Sequence, residues 1–321
     1  MPILLEGKIR EEERVLTGLY GVDRALGFLG NLGAPLRAIY EIYGREQSGK
    51  STLALYLAAR VKPTGKIVVA DLEDSYRQSP HIERAVHNAG FSGTVRIVPS
   101  MDEKKKGRPH EDILEEAADS LLEDDVNACI IDSLGMFVTI AEAEADLEDR
   151  NVGSRAFETA RLTRRLISRL GTVVEPKLAI YVNHIQSVIG GRGHTTPAGD
   201  TKKYGATVRL WMFRADSDFE HGAFEAQVKV EKLRWGGHGD RIASVFVIPG
   251  VGVHPGMTAV MDCLRGGLAK RENVVKVKSI IRGEEEWKSA GRMKQLVEWA
   301  IEGDEAKFNS FQRALKGDAD E

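Results

Sequence analysis

Gly44-Arg45-Glu46-Gln47-Ser48-Gly49-Lys50-Ser51 is the stretch on which the fold turns. It satisfies G-x-x-x-x-G-K-[ST] in full, and its neighbours suit it. Residues 39–43 (IYEIY) form a short apolar run ending at Gly44, which predicts a buried strand. Residues 51–61 (STLALYLAARV) carry apolar side chains at helical spacing and predict a helix. The residue types follow from the task. Glycines let backbone amides curl around a phosphate, and the helix N-terminus adds its positive dipole end. Lys50 then reaches the outer phosphates, Ser51 ligates Mg²⁺, and Thr52 opens the helix behind them. The segment from Gly44 to Thr52 is therefore the expected site for ATP and Mg²⁺.

A metal held this way needs a second acidic group. Cys129-Ile-Ile-Asp132-Ser133 supplies one, an aspartate at the C-terminal end of an apolar run, where parallel sheets bind ligands. An aspartate there also suits a helix cap, so the pattern alone admits both roles. Val69-Ala-Asp-Leu-Glu73 ends a further strand at the same edge. Glu73 is the candidate to activate an attacking water, although an ordinary loop carboxylate fits the segment equally. Asn183-His-Ile-Gln lacks the N-K-x-D pattern that recognises guanine, so GTP is not expected.

Working outward, strands are expected at 66–70, 94–98, 127–131 and 178–182, with helices at 112–123 and 154–170 between them. The alternation argues for an α/β fold with a mostly parallel central sheet flanked by helices. Runs at 208–214, 226–233 and 243–248 predict an antiparallel extension. From about residue 265 the chain becomes charged, and a small C-terminal domain with helices near 290–301 and 307–315 is expected, ending in a polar tail. The division is thus 1–17, a short N-terminal segment; 18–264, the nucleotide-binding core; and 265–321.

A chain of 321 residues has room for about two domains, and 42% hydrophobic with 29% charged residues excludes a disordered or fibrous protein. Cys129 and Cys263, both in apolar surroundings, are expected to be reduced core residues. Residues 1–14 lack a secretory apolar run, and no stretch approaches the length that crosses a bilayer, so a cytoplasmic protein without membrane contact is expected. The net charge of −3 gives no global field toward nucleic acid, and any DNA contact must come from local patches or loops.

Five segments in unbroken order resemble the RecA-type homologous-recombination ATPases over roughly residues 16–264. ALGFLG…AIYEIYGREQSGKST resembles the family's entry strand and P-loop, VVADLED the strand carrying its catalytic glutamate, and ACIIDSLG its metal-binding strand. IYVNHIQSVIGG resembles the strand leading into the second DNA-binding loop, and VKVEKLRW the strand whose cations reach a neighbour's ATP. Two details resemble the phage UvsX-like branch: His184 stands where bacterial RecA has glutamine, and VEKLR is similar to the phage strand.

The resemblance implies a RecA-like P-loop core and roles for named residues. Glu73 and Lys50 would be catalytic, and Asp132 would join Ser51 on the metal. His184 would sense the γ-phosphate, while Lys232 and Arg234 would act in trans on the γ-phosphate of a neighbouring protomer. The turn holding Gly250 and Gly252 would close over a neighbouring nucleotide.

DNA would lie along loops near 144–153 and 185–199, with Val152 and Ile189 wedged between base steps. Arg155 and Arg164, from the basic helix after the first loop, would join them, as would Gly190, Gly191 and Arg192 in the second. The implied protein is a DNA-dependent ATPase that forms filaments on single-stranded DNA and exchanges strands with a homologous duplex in DNA repair. Its implied partners include single-strand-binding and loader proteins. The alternative is a ring motor or a recombination mediator that shares the site and exchanges no strands.

Overall fold

The structure, a computed structural model, describes residues 13–27, 30–77, 79, 81–101, 106–144, 153–187, 194–196, 201–234, 241–281 and 284–316. The P-loop strand β1 (Ala38–Gly44) is buried at every position and sits near the middle of a nine-stranded sheet. In chain order the core continues with α2 (Lys50–Val61), β2 (Lys66–Asp71), α3 (Ile82–Asn88), β3 (Thr94–Ile97), α4 (His110–Asp119) and β4 (Val126–Asp132), after an opening α1 (Tyr20–Leu26). There follow α5 (Ser154–Thr172), β5 (Leu178–His184), α6 (Thr201–Gly205), β6 (Val208–Asp218), β7 (Phe224–Leu233), β8 (Arg241–Ile248) and β9 (Gly252–Val253). The strand order is β9-β8-β7-β6-β1-β5-β4-β2-β3. From β6 to β3 neighbours run parallel, while β7, β8 and β9 add antiparallel pairs. Both the parallel core and the antiparallel extension expected from the sequence are present.

The parallel strands are continuous apolar runs because both faces are covered. Tyr40, Ile42, Val69 and Ile130 pack with Leu53 and Leu57 of α2 in one cluster. Ile39, Val68 and Ile131 point the other way, onto Leu114 of α4 and Leu162 and Leu166 of α5. A buried polar network ties four strands together. Arg209 Nε of β6 donates to Glu41 Oε2 of β1 at 2.7 Å, and Asn183 Nδ2 of β5 donates to Glu41 Oε1 at 3.3 Å. Arg209 also reaches Glu231 of β7, which accepts the Tyr43 hydroxyl. A fully buried carboxylate such as Glu41 is tolerated only when paired in this way, and the pairing links β1 to both of its neighbours, β5 and β6.

Beyond α7 (Pro255–Arg265) the structure corrects the sequence reading. A three-stranded antiparallel sheet of β10 (Ala269–Arg271), β11 (Val275–Ile281) and β12 (Glu284–Gly291) occupies the charged stretch where no strands were expected. Ala269, Val275 and Val277 are its buried apolar residues among those described, and the Val-Lys alternation at 275–278 is a strand-period signal too short to stand out in a charged stretch. The next helix, α8 (Met293–Glu302), starts later than 290 because Ala290 and Gly291 still belong to β12; α9 (Asn309–Lys316) closes the described chain.

Candidate nucleotide site

The residues singled out in the sequence meet at the C-terminal ends of adjacent parallel strands. Gly44, ending β1, is in register with His184, ending β5, and Asp71 of β2 with Asp132 of β4. The loop leaving β1 needs its glycines. A Cβ on Gly44 would lie 2.1 Å from the Met212 carbonyl oxygen of β6, and Gly49 adopts φ +87° just before α2. The first turn of α2 carries no acidic side chain, so its positive end is left for an external anion.

Lys50 folds back on the loop, donating from Nζ to the Arg45 carbonyl at 2.7 Å, and Ser48 Oγ donates to the same oxygen at 2.8 Å. Burial lowers the Lys50 pKa, against the attraction of Asp132, Glu73 and Glu46. Asp132 is 2% exposed. Burial pushes its carboxyl up to about 6, against hydrogen bonds from Ser51 and Tyr76. Glu73 Oε1 accepts the Ser133 hydroxyl and lies 3.0 Å from His184 Nε2. The His184 hydrogen bond is the main reason its carboxyl is held below the usual glutamate range.

Gln47, Lys50, Ser51, Glu73, Asp132 and His184 line one cavity of about 550 Å³. Among the described residues no cluster of three or more His, Cys, Asp or Glu forms a self-contained metal cage. The Ser51 hydroxyl and the Asp132 carboxylate, hard oxygens on one cavity, suit Mg²⁺, which takes few protein ligands and completes its shell with phosphate and water.

Ser51 and Thr52 also border a second, more apolar slot of about 270 Å³, walled by Tyr76, His81, Ile82, Pro249 and Gly250. None of these except Gly250 was singled out in the sequence. Gly250 and Gly252 line this slot within their own chain, whereas the resemblance implied a wall over a neighbour's nucleotide. The β8–β9 turn brings them over α3, where a Cβ on Gly252 would touch Ala85. Arg214, stacked 4.4 Å over the Phe224 ring, is a further cation on the cavity at the strand ends that no motif marked.

Lys232 and Arg234 are not part of that cavity's lining. Lys232 Nζ donates to the carbonyls of Lys203 (2.6 Å) and Tyr204 (3.1 Å), and Arg234 Nη2 to those of Tyr204 (2.6 Å) and Gly205 (3.2 Å). The two cations thus cap the C-terminus of α6.

The basic helix expected beside the first loop is largely neutralised. Arg161, Arg165 and Arg169 of α5 pair with Glu115 and Asp119 of α4, and Arg155 pairs with Glu142. Arg164 is exposed with no ion pair among the described residues. Val152, Ile189, Gly190, Gly191 and Arg192 lie outside the described residues, as do most of the two loops and residues 1–12. No described helix is long and apolar enough to cross a membrane.

The family model of the RecA N-terminal domain matches residues 3–236. Protein RecA of Clostridium tetani is 30% identical over 234 residues, 71% of this chain and 62% of that protein. Protein RecA of Clostridium botulinum (strain Eklund 17B / Type B) is 31% identical over 217 residues, 66% and 56% respectively. Protein RecA of Rhodospirillum rubrum is 34% identical over 212 residues, 64% and 52%. The matched stretch spans a little over half the length of these curated relatives. The expectation of a phage branch rests on the two sequence details alone.

Proposed function

The chain belongs to the RecA family, and on that footing we propose that it is a DNA-dependent ATPase that assembles on single-stranded DNA and pairs it with a homologous duplex. The observation that carries the reading is the convergence of Lys50, Ser51, Asp132, Glu73 and His184 on one cavity at the strand ends. Lys50 and the amides opening α2 hold the phosphates of ATP, while Ser51 and Asp132 hold Mg²⁺. Bound there, Mg²⁺ supplies charge neutralisation between the outer phosphates. Glu73, ionised and steered by Ser133 and His184, takes the proton of the attacking water. The apolar slot beside Ser51 takes the adenine base, with Tyr76 and His81 as its aromatic walls. Lys232 and Arg234 of an adjoining protomer complete the charge on the γ-phosphate, as an arginine finger does.

The test is ATP hydrolysis with and without single-stranded DNA, read beside negative-stain images of the same mixtures. Stimulated turnover with helical filaments is the expected outcome. Closed rings would move the assignment to a motor or mediator, and unstimulated turnover without assemblies would remove DNA from the reading.

A further inference from the structure

Tyr76 lies in the turn after β2, 4% exposed, between the phosphate cavity and the apolar slot. The turn is held by Asp71 at the end of β2. Its Oδ1 accepts the Ser75 backbone N–H at 3.0 Å and its Oδ2 that of Tyr76 at 2.9 Å. With the main chain fixed, the phenol is aimed inward. Its hydroxyl donates to Asp132 Oδ2 at 2.8 Å, and the Ser51 side chain lies beside it on the same slot. The ring forms part of the slot wall. One buried hydroxyl therefore holds the carboxylate and borders Ser51, the two side chains whose oxygens are suited to Mg²⁺.

We propose that Tyr76 is a positioning residue whose hydroxyl orients the Asp132 carboxylate and the Ser51 hydroxyl for the metal of a bound nucleotide. The physical reason is rotational freedom. A carboxylate on a strand end swings about two side-chain torsions, and Ser51 alone does not decide which oxygen faces the phosphates. A second donor on Oδ2 removes that freedom before the metal arrives, as outer partners of metal ligands do elsewhere. The slot needs only the ring, and the metal site needs only the oxygen. Tyr76→Phe separates the two.

The proposal rests on the reading of Ser51 and Asp132 as metal ligands, and the experiment separates the two ideas. Binding of a fluorescent ribose-labelled ATP to the full chain is titrated with free Mg²⁺, and repeated in EDTA, for wild type, Tyr76→Phe and Asp132→Asn. The Mg²⁺ concentration at half effect is expected to rise about tenfold in Tyr76→Phe, with metal-free affinity within about twofold of wild type. An unchanged Mg²⁺ midpoint in Tyr76→Phe beside a raised one in Asp132→Asn overturns the role of Tyr76 and leaves the metal site standing. Equal loss of affinity with and without Mg²⁺ also overturns it, making Tyr76 a packing residue. Unchanged midpoints in both variants overturn the metal reading beneath it. Ser51→Ala serves as the control if Asp132→Asn does not fold.

Discussion

At the scale of single residues, burial sets the electrostatics more than sequence neighbours do. Asp262 on α7 shows it: its Oδ2 accepts the Gly21 N–H of α1 at 2.9 Å, and burial pushes its carboxyl up to about 6. In the unfolded chain that group ionises near 3.8. Between those two values the folded protein keeps a proton that the unfolded chain has released, so stability falls as pH rises through the window. Glu73 and Asp119, whose pKa values are lowered, give the opposite slope, with stability lost as pH falls. Asp262→Asn removes only the first contribution. Urea unfolding at about pH 4.5 and about pH 6.5 is expected to show wild type losing roughly 2 kcal/mol more than the variant over that interval. Equal losses would show that Asp262 does not hold its proton in the fold. Lys50, Ser51 and Asp132 were legible from motifs with their own local pattern, whereas Glu73 and His184 were singled out from ordinary strand-end side chains through the family resemblance. Tyr76 and Arg214 were not, because their partners are Asp132, 56 residues away, and the cavity that the sheet assembles.

Packing between elements commits charges that a one-dimensional reading turns toward DNA or a neighbour's nucleotide. The arginines of α5 look like a DNA-facing stripe in one dimension; against α4 they become an interhelical ion-pair ladder with Glu115 and Asp119. The cations at the end of β7 are likewise committed within the protomer, where they cap α6, the element that follows the second loop. A cation near the last turn of a helix satisfies carbonyls that have no helical partner. If Lys232 also serves the γ-phosphate of an adjoining protomer, Lys232→Ala is expected to lower ATP turnover at least about tenfold. Nucleotide affinity of the isolated protomer should stay within about twofold, since Lys232 lies outside the cavity lining. Hydrogen exchange of residues 201–205 should accelerate in the same variant as the cap is lost. Wild-type turnover would remove Lys232 from the catalytic set, and unchanged exchange would show that Arg234 caps α6 alone.

Across the whole molecule, a third core joins the charged C-terminal segment to the sheet. Phe246 and Ile248 of β8 and Met257 and Val260 of α7 share one cluster with Leu296, Phe308 and Phe311. Phe311→Ala, emptying a fully buried site there, is expected to cost about 3–5 kcal/mol. Nucleotide binding should be lost in the same unfolding transition as the C-terminal helices. Two separated transitions, followed by bound fluorescent ATP and by far-ultraviolet circular dichroism, would instead show that residues beyond 265 unfold independently. Residue order alone was enough to mark the P-loop motif, the parallel core and the acids at its strand ends. Those depend on residue types at fixed local spacing, set by the chain's own geometry. The C-terminal sheet, the pairing of the α5 arginines, the cap on α6 and the place of Tyr76 emerge only when the chain is packed in three dimensions. Each depends on groups brought together from distant positions, where burial and the need to satisfy every hydrogen-bonding group select partners that no local pattern encodes.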